Sequence, residues 1–148
     1  MTIRSDADFK AALNKLPTPD QRRVAARFVE SVVALCHDPR VAAAINAARR
    51  LDISDAELTA AFHAVKTACV DSYTQCGHEA DWRAQAGHFV AKAAETCVMP
   101  DGRARDIGWN AAMQARMART CEAISTGRGT ENREAEQQFR ILEEFMKR

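Results

Sequence analysis

The stretch DPRVAAAINAARRLDISDAELTAAFHAVKTACVDSYTQCG, residues 38–77, decides the fold class. Asp38-Pro39 reads as a helix start, because a carboxylate can accept from orphan first-turn N–H groups and Pro suits the first helical position. Ser54 opens a second helix, and Gly77 closes it, since glycine tolerates the left-handed turn beyond a last helical residue. Val41, Ala44, Ile45, Ala48 and Leu51 recur at helical spacing in the first segment. Leu58, Phe62, Val65, Cys69 and Cys76 do so in the second. Steps of three and four residues gather each set on one face, so the two helices are expected to close on each other as a hairpin.

The same reading extends in both directions. Ser5 and Asp8 can start a short helix edged by Phe9, Leu13 and Leu16, which Pro17 ends. Thr18-Pro19-Asp20-Gln21 predicts the next start, with Thr18 as cap, Pro19 at the first position and Gln21 reaching back. Its apolar face runs through Ala25, Phe28, Val29, Val32, Leu35 and Cys36 up to Asp38-Pro39. Beyond Gly77, Trp82, Ala86, Phe89, Ala93 and Cys97 form another stripe, with Gly87 inside it. Glycine there costs about 1 kcal/mol relative to alanine and fits a close crossing. Met99-Pro100-Asp101-Gly102 is a break. A helix from about Ala104 to Ser125 carries a Met-rich edge of Trp109, Met113, Met117, Cys121 and Ile124. After Thr126-Gly127-Arg128-Gly129, Thr130 can cap a last helix with Ala135, Phe139, Leu142, Phe145 and Met146 on one side.

No segment alternates with the two-residue period of a half-buried strand. The expectation is an all-α, single-domain bundle spanning 1–148, with about six or seven helices in antiparallel hairpins. Repeat-like stacking is a second arrangement of the same hairpins, although no fixed sequence period marks true repeats.

Composition narrows the function classes. Hydrophobic residues make up 47% of the 148 and aromatics only 6%, so alanine-rich helices should pack closely around a thin core. The net charge of +1 predicts neither a nucleic-acid binder nor an acidic mimic. Five cysteines, an odd set without a secretory pattern at the N-terminus, and no long apolar run point to a cytoplasmic chain without a membrane span.

Motifs that carry chemistry are sparse. Cys36-His37 and Cys76-Gly77-His78 lack paired metal-ligand spacing, and Cys69 and Cys76 sit seven apart as core periodicity would place them. Neither a metal nor another cofactor is expected. His63 and His88 lie in helices among apolar neighbours, where a ring nitrogen bonded to a carbonyl or an acid is the commonest fate; Asp81 and Arg83 are close to His88 in sequence. No nucleophile elbow, catalytic-cysteine signature or phosphate loop occurs. Arginines crowd the front half (Arg22, Arg23, Arg27, Arg40, Arg49, Arg50) and the 103–128 segment, and read first as solvated surface with local ion pairs.

Asp38-Pro39-Arg40 followed by Ala44-Ile45 and Ala47-Ala48-Arg49 resembles the opening of the Imm-5-like immunity protein family of bacterial toxin–immunity systems. Ala60-Ala61-Phe62-His63-Ala64 and Ala86-Gly87-His88 are similar to that family's alanine-rich helices with single histidines. The resemblance covers approximately Asp20 to Ala118. It implies a small helical protein that binds and neutralises a cognate toxin and has no catalytic activity of its own. It further implies structural roles for Asp38, Pro39, Arg40, His63, Gly87 and His88. An interface with a few aromatic or arginine anchors is then expected, with Trp109 and Arg116 as examples. Two other classes compete. One is a helical scaffold that self-associates as a homo-oligomer through an exposed face such as Met113–Met117. The other is a small-ligand binder or enzyme using a pocket near His63 and His88.

Overall fold

The computed structural model describes residues 2–76 and 81–147, and every regular element among them is helical. The helices are α1 (Asp6–Asn14), α2 (Thr18–Glu30), α3 (Pro39–Arg49), α4 (Asp55–Cys76), α5 (Trp82–Cys97), α6 (Ile107–Ser125) and α7 (Glu134–Met146), with a 3-10 turn at Val33–Leu35. Local chemistry sets several of these starts. Ser5 accepts from the Asp8 N–H, and Asp38 accepts from the Arg40 N–H at 2.9 Å with Pro39 beside it. At α4 the Glu57 N–H donates to the Ser54 hydroxyl while the Ser54 N–H donates back to the Glu57 carboxylate. That reciprocal pair is a capping box, each bond satisfying an orphan donor. The Gly77 and His78 assignments lie outside the described residues.

The antiparallel pair α5 and α6 forms the most extensive helix contact. Helix α4 packs on α5, and α3 bridges α4 and α2. Helix α2 also lies against α5, α6 and α7, so the chain folds back on itself as a compact bundle and not as an open stack. Two apolar clusters result. The larger draws on α2 to α6 and is built largely of alanine and valine, with Phe62 and Ile45 as its bulkier members. Small side chains let α5 and α6 approach closely, which is why an alanine-rich sequence can still hold a core. The second cluster is aromatic. Phe9 lies with its ring 5.4 Å from Phe28 and 5.3 Å from Phe139, and Leu13, Leu142 and Phe145 enclose them. Gly108 belongs to this region: a Cβ there would sit 2.8 Å from Leu13, so α1 rests directly on α6.

Several expectations change in detail. Helix α2 ends at Glu30, and Val32, Leu35 and Cys36 continue through the 3-10 turn and not through the helix. Pro17, with no side-chain bond, occupies the α2 cap position given to Thr18; Gln21 instead donates to the Leu16 carbonyl and accepts from the Gly108 N–H. Helix α6 starts at Ile107 after Asp106, the one non-glycine residue with positive φ (44°) among the described residues. Asn132, not Thr130, accepts from the first N–H of α7. Leu51 is 78% exposed because it lies in the turn beyond α3. The face α6 buries is the alanine face of Ala111, Ala112, Ala115 and Ala118; Met113 is half-buried beside the aromatic cluster and Met117 is exposed.

Arg22 departs most from its sequence reading. It is 5% exposed, and one guanidinium nitrogen donates to the carbonyls of Cys97 and Met99, each at 2.8 Å, while another pairs with Asp101. The cation thus satisfies carbonyls at the C-terminal end of α5, where the helix dipole also favours positive charge. A second polar seam lies under α7. Arg119 donates to buried Glu134 at 3.0 Å, to Glu122 at 2.7 Å and to the Ser31 carbonyl at 2.8 Å. Ser31 also donates to Glu134, and Gln138 bridges the Arg116 guanidinium to the Ala112 carbonyl.

Candidate functional site

The residues singled out around residue 40 and residue 88 meet at one groove. Its walls are the chain from the 3-10 turn into α3 (Leu35 to Arg40), the C-terminal half of α4 and the first half of α5, enclosing about 910 Å³. The groove has depth because its floor is small. A Cβ on Gly87 would come within 3.2 Å of the Leu35 carbonyl oxygen, so glycine lets the turn lie against α5, and Ala84, Ala91 and Ala68 continue the floor. The close crossing expected at Gly87 is therefore real, and its partner is the backbone of the turn.

Along one wall, Arg40 holds two carboxylates. It pairs with Asp38 and, from α4, with Asp71 at 3.0 Å. Hydrogen bonding from Arg40 holds the Asp38 carboxyl below its usual range, and the two acids raise the Arg40 value in turn. Asp38 thus caps α3, fixes the Arg40 side chain and shares it with α4. Opposite, Ser72 donates to the Cys69 carbonyl at 2.9 Å and stands 2.7 Å from His88 Nδ1. Ser72 Oγ and His88 Nδ1 thus share a hydrogen bond whose direction follows the imidazole tautomer. Burial lowers the His88 pKa, with the Lys92 charge adding to it, so the ring is neutral at pH 7. The Tyr73 ring packs 5.8 Å from it.

A second cavity of about 440 Å³ lies beside the groove and reaches Glu122 and Ser125 on α6 and Thr126 just beyond it. Leu35, His37, Arg83 and Ala84 line both cavities. Asp81, which neighbours Arg83 in sequence, is the cap of α5, accepting from the Ala84 N–H at 3.1 Å.

Three of the chosen residues stand elsewhere. His63 is exposed on α4, its ring beside Phe62, and does not line the groove. Trp109 is half-buried, 6.2 Å from Phe9 and beneath the Lys10 ammonium. Arg116 is bonded to Gln138, paired with Asp6 and stacked on Phe9 and Phe139, so it ties α6 to α1 and α7. Asp71 and Ser72 are the groove residues that sequence spacing missed. Their signal is the α4–α5 hairpin itself, which sets Ser72 opposite His88 across 16 positions.

Burial pushes the Cys69 and Cys97 thiols up to about 12 and raises Cys36, which lines the groove, so the thiols are held protonated and unreactive. The Ser72 hydroxyl lies within hydrogen-bond distance of both the Cys69 carbonyl and His88 Nδ1. No group of three or more potential metal-ligating side chains comes together among the described residues, and no described helix is long and apolar enough to cross a membrane. No protein-family model, curated protein or solved structure matches the chain.

Proposed function

We propose that this chain is an immunity-type binding protein that docks on a cognate bacterial protein toxin and neutralises it without chemistry of its own. The observation that carries the reading is convergence. Asp38, Pro39, Arg40, Gly87 and His88, which carry most of the family resemblance, lie about fifty positions apart in two groups and line a single groove. Each has a physical task in shaping it: a cap, a shared guanidinium, a close backbone approach and a neutral ring. A pre-formed groove with fixed walls can receive a projecting segment of a partner at little cost in ordering. Raised thiol values support binding over thiol-based nucleophilic catalysis.

The test is recovery of the tagged protein from its native cells, identification of a partner present in near-equal amount, and expression of that partner with and without this chain. Growth arrest by the partner alone, relieved by co-expression, is the expected result. A partner that is harmless, or a chain recovered only with itself, overturns the proposal. The second outcome would favour a scaffold, for which the exposed Val70 and Tyr73 on α4 offer a face.

A further inference from the structure

The acids that line the two adjacent cavities all have partners. Asp38 and Asp71 are both held by Arg40, and Glu122 is held by Arg119. Arg83 differs. It lines both cavities, is exposed, and no hydrogen bond or ion pair engages its guanidinium among the described residues. His37 also lines both and likewise has no bonded partner among the described residues. The chain at Cys36 and at Asp38 is extended beside them. Arg83 is thus within reach of an occupant of either cavity.

We infer that the groove takes an extended segment of a protein partner that places an Asp or Glu carboxylate on Arg83, with a small apolar side chain on the Ala84–Gly87 floor. Charge complementarity selects this occupant. A carboxylate can form a bidentate, charge-assisted pair with a guanidinium that no acid holds among the described residues, whereas a basic side chain there would meet Arg83 and find the nearby carboxylates already held by Arg40. The inference rests on the binding role proposed above and names the chemistry of what is bound.

The test uses the full chain and a defined probe. The acetylated, amidated peptide Ala-Leu-Glu-Ala is titrated into isotopically labelled protein and compared with Ala-Leu-Gln-Ala, following the Arg83 side-chain resonance and the amides of 35–38 and 84–88 by NMR. The expected result is a saturable shift of this set with the Glu peptide and affinity weaker by about tenfold for the Gln peptide. Arg83→Met should reduce Glu-peptide binding to the Gln level, and Arg83→Lys should restore part of it. Equal binding of the two peptides, unchanged binding by Arg83→Met, or no shift at about millimolar peptide would overturn the inference. The toxin assay separates the two proposals. Toxin relief that survives Arg83→Met leaves the immunity reading standing and removes the acidic contact. Carboxylate binding at Arg83 in a protein that relieves no toxin does the reverse.

Discussion

The seam beneath α7 and the groove beside α5 use the same side-chain types to opposite ends. In the seam, Arg119, Glu134, Ser31, Gln138 and Arg116 bond to one another and to backbone, and the helices close over them. In the groove, Arg40 bonds to Asp38 and Asp71, yet a cavity remains open beside them and Arg83 has no bonded partner among the described residues. The difference lies in what surrounds them. Large aromatic side chains fill the space beside the seam, while alanine and glycine line the groove and cannot. Buried polar groups in the seam fix how three helices sit. Those in the groove fix the shape of a surface.

The strongest way to break this contrast is to open the seam. Glu134→Ala would leave Arg119 with one acid and strand part of a buried network, and should lower stability by about 3 kcal/mol in urea unfolding. A loss no larger than that of an exposed substitution would mean the network tolerates water. Gly87→Val tests the groove by overpacking. Its side chain would be driven against the Leu35 carbonyl, and a cost of about 2 kcal/mol is expected, with the amide signals of 33–38 displaced.

Acidity gives a smaller effect. The His88 pKa is lowered in the fold, so the unfolded chain takes up the proton first. Its contribution is therefore complete above the unfolded value, roughly pH 6.5, and is lost as pH falls below it. The charges facing the ring are Lys92 and Glu95, and they oppose each other. Stability measured from pH 7.5 to 5 should decline, and His88→Asn should flatten that decline; an unchanged slope would locate the titration elsewhere. The buried thiols act at the other extreme, where Cys69 and Cys97 favour the fold up to about pH 9 and that contribution fades toward 12. Smallest of all is Arg83→Met. With no bonded partner to lose among the described residues, it should change stability by less than about 0.5 kcal/mol while removing carboxylate binding. A clear destabilisation would mean that Arg83 supports the fold.

Much of the helical scaffold is legible in the sequence because start signals are local. Asp38-Pro39, Ser54 with Glu57 and Ser5 with Asp8 each act within one turn of chain. The faces of α3 and of α4 as far as Cys69 are legible for the same reason, apart from Leu51; the side chain of Cys76 lies outside what the structure describes. The end of α2 is not, since Val32, Leu35 and Cys36 keep helical spacing while the backbone tightens into a 3-10 turn. The buried face of α6 is masked by its own composition, because alanine contributes little to an apolar stripe and Met113 and Met117 draw attention to the wrong side. Arg22 reads as one of several surface arginines because its acceptors lie more than seventy positions away. Of the groove, Asp38, Arg40, Gly87, His88 and Arg83 stand out in sequence. Their convergence and the part played by Asp71 depend on how α4 meets the start of α3, which local pattern does not encode.

The seating of Arg22 also bears on how the chain is made. Its acceptors at Cys97, Met99 and Asp101 lie 75 to 79 positions downstream, so a ribosome must deliver nearly all of α5 and the turn after it before that guanidinium has a home. Until then the cation stays hydrated, so this tie between α2 and α5 can form only after α5 and the turn beyond it have been made.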